Sequence, residues 1–93
     1  MSKEYYRNRI ADKRKEIVGL RADLADKKAA KTKRLQIIAS QIRTSTPSNK
    51  EYHRKEKISE SARYTKEIER LKEKIEHAKK ELDSLKKQLA SAK

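Results

Sequence analysis

The chain has 93 residues and a formal net charge of +13, with 33% hydrophobic and 44% charged residues and neither Trp nor Phe. That length holds one small domain at most, and so polar a composition excludes a compact globule with a wide core. With no Cys there is no disulfide framework and no thiolate metal site. No apolar run reaches membrane-span length and no signal-peptide core follows the N-terminus, so the cytoplasm is the default location.

Low hydrophobicity with high charge is also the signature of disorder. A single Gly, a single Pro and a regular apolar periodicity argue for helices instead. In the first half, Tyr6, Ile10, Ile17, Leu20 and Leu24 keep the a/d spacing of a coiled coil, with Lys13 interrupting it. The pattern resumes at Leu35, Ile38 and Ile42. The step from Leu24 to Leu35 spans eleven residues, a spacing that relaxes a left-handed supercoil. Ala25, Ala29 and Ala30 offer little to bury within it. Gly19 costs about 1 kcal/mol in a helix interior, and reads as a tolerated or closely packed glycine rather than a hinge.

The only cluster of breakers is Thr44-Ser45-Thr46-Pro47-Ser48-Asn49. Pro47 cannot extend the first helix and biases Thr46 away from the helical region. Two starts for the second helix fit: Ser48 with Glu51 as a capping box, or Thr46 as cap with Pro47 in the first turn. This places one helix at about 3–43, a turn at 44–48 and a second helix at about 48–92, each roughly 60–65 Å long.

The second helix carries the clearest signal. Tyr64, Ile68, Leu71, Ile75, Ala78, Leu82, Leu85, Leu89 and Ala92 alternate steps of four and three with no polar intruder. Two helices of similar length with a short connection fold back antiparallel. In that arrangement the residue numbers of facing positions add to one constant. Tyr6 with Leu89, Ile10 with Leu85, Ile17 with Ala78, Leu20 with Ile75 and Leu24 with Leu71 all share it. The expected fold is all-α: one two-helix antiparallel coiled-coil hairpin, with pairing into a larger helical bundle left open.

No catalytic constellation is present. His53 and His77 lie at opposite ends of the second helix, there is no glycine-rich phosphate loop, and the 14 acids are interleaved with bases. The chain reads as a non-enzyme without cofactor, metal or small-molecule substrate. Its charge is more informative. Lys27, Lys28, Lys31, Lys33, Arg34, Arg43, Lys50, Arg54, Lys55 and Lys57 surround the turn against only Glu51 and Glu56. These ten are the candidate polyanion-binding residues, since each phosphate contact draws on one base.

The leading functional reading is a coiled-coil interaction or assembly module that self-associates or docks on a protein partner. The alternative is a nucleic-acid-binding hairpin presenting its basic tip, similar in principle to the coiled-coil arm of seryl-tRNA synthetases. No aromatic platform for base stacking supports it. Membrane association would be purely electrostatic and is disfavoured. Tyr6 and Tyr64 read as packing residues, and Tyr5 and Tyr52, just off the seam, as contact points.

The run from Ile37 to Ser48, IIASQIRTSTPS, is followed by a heptad of the form E-I-x-x-L-x-x-K-I from Glu67 to Ile75. Together they resemble coiled-coil hairpins at the head of bacterial effector proteins, including some with TIR-type domains associated with phage defence. The resemblance implies an assembly or sensing module whose effector domain is supplied elsewhere. The helical pattern still runs at Ala90-Ser91-Ala92-Lys93, as such a module would.

Overall fold

A computed structural model of the chain describes residues 2–92. It is an all-α hairpin: α1 spans Lys3–Thr44, α2 spans Pro47–Ser91, and the two pack against each other. Of the tail residues noted above, Lys93 lies outside the described residues.

Both helix starts are capped by hydroxyls. The Tyr5 amide donates to Ser2 Oγ at 3.3 Å, satisfying one of the orphan N–H groups of α1. At α2, the Asn49 amide donates to Thr46 Oγ1 at 3.4 Å and the Lys50 amide to the Thr46 carbonyl at 2.7 Å. Thr46 is therefore the cap and Pro47 the first helical residue, where its missing N–H has no partner to lose. Of the two starts compatible with the sequence, this one prevails, and Ser48 lies inside the first turn. The α1 end is closed in kind: Thr44 Oγ1 donates to the Ser40 carbonyl at 3.2 Å, and Ser45 Oγ to that of Gln41. Only Ser45 and Thr46 connect the helices, so the turn is tighter than the 44–48 expected from sequence.

The chain divides into two packed units: Leu24–Arg70, which holds the turn, and the stretches up to Asp23 and from Leu71 onward. In the open-ended unit Ile10, Ile17, Ile75 and Ala78 are buried. Tyr6, Leu20, Leu71, Leu82, Leu85, Leu89 and Ala92 are half-buried. Lys13 sits in the same row, between Ile10 and Ile17, with its side chain only 14% exposed. It donates to Glu81 of α2 at 3.1 Å and pairs with Glu16 at 2.7 Å. Its apolar stem packs while its ammonium reaches carboxylates at the rim.

In the turn unit Ile38 is fully buried and Ile68 nearly so, while Leu24, Leu35, Ile42 and Tyr64 are half-buried. The inward row of α1 does not skip between Leu24 and Leu35. It continues through Leu24, Lys27, Lys31, Arg34, Ile38, Gln41 and Ser45, all half-buried or buried, at steps of three and four. The eleven-residue step expected from the apolar residues is thus an ordinary heptad run whose inward positions are charged.

Gly19 has regular helical backbone, and a Cβ built on it meets nothing within 4 Å. The glycine is tolerated rather than closely packed. Gly19→Ala is expected to stabilise the chain by about 0.5–1 kcal/mol through lower unfolded-state entropy and better helix propensity. A urea melt followed by circular dichroism reads this as a higher midpoint at unchanged slope.

Candidate interaction site

The ten bases around the turn divide by what they face. Lys27, Lys31 and Arg34 point into the seam and are occupied there. Lys27 Nζ lies 3.0 Å from Glu67 Oε2, Lys31 Nζ donates to Thr65 Oγ1 at 2.9 Å, and Arg34 Nη2 lies 3.7 Å from Glu56 Oε1. His53 Nδ1 is also 3.7 Å from that Glu56 oxygen. The seam beside the turn is thus a charged stretch, with bases from α1 and acids from α2. On the outside, Lys55 is 3.7 Å from Glu51. Lys28, Lys33, Arg43, Lys50, Arg54 and Lys57 make no ion pair among the described residues, and all but the half-buried Lys50 are exposed. The ten-residue set is therefore not one surface: three members hold the hairpin together and the others face outward.

The residues expected in the seam, Tyr6, Ile10, Ile17, Leu20, Leu24, Leu35, Ile38, Ile42, Tyr64, Ile68, Leu71, Ile75, Ala78, Leu82, Leu85 and Leu89, are all buried or half-buried, but Leu35 and Ile42 lie on a flank of α1 beside its inward row rather than in it. Tyr5 and Tyr52 are 41% and 63% exposed. Sequence reasoning placed Lys13 in the row but missed Lys27, Lys31, Arg34, Gln41, Glu56, Glu60 and Glu67 as inward positions. Carrying the phase of Leu20 and Leu24 forward, whatever the residue type, would have found those of α1.

The two flanks of the turn unit differ. At about 100° per residue, Lys28, Leu35, Ala39 and Ile42 fall on one flank of α1, and Lys50, Arg54, Lys57 and Ser61 on one flank of α2. A shallow groove lined by Leu35, Lys57, Ile58, Ser61 and Ala62 joins these two flanks on one side of the hairpin. Ile58 is 72% exposed there. Of the acids of the unit, Asp26, Glu56, Glu60 and Glu67 turn toward the opposite flank, while Glu51 and Glu69, one heptad from Ile58 and Ala62, lie at the two ends of the grooved side of α2, Glu51 beside Lys55. The opposite flank holds the pairs already described together with Arg63 and Glu60 at 2.7 Å. One side of the unit is charge-compensated; the grooved side is basic and partly apolar.

Carboxylate titration in the seam follows from these contacts. The Lys27 ammonium, 3.0 Å away and acting against an opposing desolvation, holds Glu67 below its ordinary value of 4.5. The hydrogen bond from Lys13 does the same for Glu81, which His77 also approaches at 2.8 Å. Lys13 is raised, chiefly by Glu16 and then Glu81. A carboxylate with a lowered folded-state value stabilises the fold above its unfolded value and loses that contribution as pH falls through the folded one. Glu81→Gln is therefore expected to lower the melting temperature at neutral pH, and the gap to the parent to close as pH falls through the lowered folded-state value of Glu81. A gap that persists in acid would assign the effect to packing.

Among the described residues no group of His, Asp and Glu is placed to hold a metal ion, and no helix is long and apolar enough to cross a membrane. No protein-family model, curated protein or solved structure matches the chain.

Proposed function

We propose that the chain is a non-enzymatic helical-hairpin interaction module that engages a protein partner through the outer surface of its turn unit. One observation carries this reading: Ile58 stands 72% exposed beside an open groove, off the seam that holds the helices together. Scattered exposed apolar residues are ordinary. An exposed Ile bordering a groove with Leu35 and Ala62 is the kind of surface a partner covers. The likeness to the hairpins of bacterial effector proteins points the same way, toward assembly or sensing in a defence complex. Light scattering of the purified chain together with pull-down from its source cells tests the reading. A mass above the monomer, or a captured protein lost with Ile58→Gln, supports it; a monomer that captures nothing counts against it.

A second reading is favoured by the outward bases without ion pairs, Lys28, Lys33, Arg43, Lys50, Arg54 and Lys57. They would let the turn unit track a nucleic-acid backbone, with binding that falls steeply as salt rises. Replacing these six with Gln, and sparing Lys27, Lys31 and Arg34, would abolish such binding while leaving helicity intact. Absence of binding to duplex or single strands at low salt would end this reading.

A further inference from the structure

We propose that the groove of the turn unit is a docking site for an acidic amphipathic helix. The inference rests on the interaction-module reading and names the partner's chemistry. Two antiparallel helices leave a lengthwise depression on each flank, and the usual occupant of such a depression is a third helix presenting an apolar stripe. Here the floor is apolar, supplied by Leu35, Ile58 and Ala62. Ile58 and Ala62 are four residues apart on α2, and Leu35, Ala39 and Ile42 follow the same helical spacing on α1. An incoming helix with side chains at that spacing would meet both rows at once.

The rim selects the partner's charge. Lys50, Arg54 and Lys57 run down the groove side of α2 and Lys28 lies on the groove side of α1, outnumbering the two acids of that side, Glu51 beside Lys55 and Glu69 one heptad beyond Ala62. None of the four has an ion-pair partner among the described residues. A docking helix with Asp or Glu beside its apolar stripe would therefore pair with bases that need not abandon an internal contact.

The same rim disfavours the other occupants. A second copy docked through this flank by a two-fold axis near Arg54 would set Lys50, Arg54 and Lys57 against one another, and like-charge contact is how interfaces reject wrong partners. A nucleic acid would use the four bases but make no use of Leu35, Ile58 and Ala62.

The test is a fluorescence-anisotropy titration of the full chain against a labelled helical peptide of about three heptads with Leu at a and d and Glu at e and g. Comparison probes are a peptide of the same composition with the Leu residues shuffled off one face, one with Lys in place of Glu, and an oligonucleotide of matched charge. The acidic amphipathic peptide is expected to bind, and the shuffled and Lys-bearing peptides to bind at least about ten-fold more weakly. Ile58→Gln combined with Ala62→Gln is expected to weaken binding about ten-fold, and Arg54→Gln with Lys57→Gln to weaken it and flatten its salt dependence.

Because Ile58 lies off the seam, a peptide that merely displaced α1 or α2 would be insensitive to Ile58→Gln. Circular dichroism confirms that each variant keeps its helicity. Equal binding by the shuffled peptide, no effect of Ile58→Gln, or tighter binding of the oligonucleotide overturns the proposal. So does a concentration-dependent dimer abolished by Ile58→Gln, which would give the groove to a second copy. That last outcome would leave the interaction-module reading standing while removing the acidic helix from it.

Discussion

Ile38→Asp is expected to unfold the turn unit at room temperature. Ile38 has no exposed surface, and the seam around it is largely charged, so few apolar neighbours remain to compensate. Truncation to Ala at such a site costs about 2–5 kcal/mol through lost burial and the cavity left behind. Asp adds the penalty of a desolvated carboxylate. Small domains hold only about 5–15 kcal/mol of total stability, so this one change removes a large share of it. Hydrogen exchange would show the amides of 24–70 losing protection. The matched substitution Ile58→Asp, on an exposed residue of the same unit, is expected to move stability by no more than about 0.5 kcal/mol. Comparable effects at the two positions would refute the assignment of Ile38 to the core.

The second large effect has the opposite sign. Lys13→Leu is expected to raise stability by about 1 kcal/mol. Lys13 occupies an inward position between Ile10 and Ile17, and its carboxylate partners Glu16 and Glu81 are 51% and 42% exposed. Removing the lysine therefore leaves no stranded buried charge, because both acids can return to water. Leu in its place extends the apolar row. A polar group at one inward position also specifies register and assembly state at a cost in stability. The variant is thus expected to be more stable and more prone to associate, which thermal melts and light scattering read separately. A destabilised Lys13→Leu would mean that the bridge to Glu81 contributes more than the apolar contact replacing it.

Much of the hairpin was legible in the sequence because its apolar residues obey one spacing rule. Nine unbroken a/d positions on α2 and the constant pairing with α1 are enough to orient two helices. The charged part of the seam was not legible by the same means. Lys27, Lys31 and Arg34 read as surface because charged residues are seldom inward, yet long stems allow them to pack there while their heads reach Glu67, Thr65 and Glu56. The start of α2 was ambiguous because Thr46 and Ser48 carry the same capping chemistry, and only backbone geometry separates them. The groove escaped notice for a different reason. Ile58 and Ala62 fall outside the heptad phase, and a depression between two helices exists only once both are in place.

The two-residue connection has a consequence for how copies of this chain meet. Hairpins with short loops are prone to exchange arms, each helix pairing with its counterpart from another molecule. Here that exchange would run α1 straight into α2 as one rod and put Pro47 inside a continuous helix. There its ring would clash with the Arg43 carbonyl, at about 3 kcal/mol per chain. Pro47 therefore disfavours that exchange as well as starting α2.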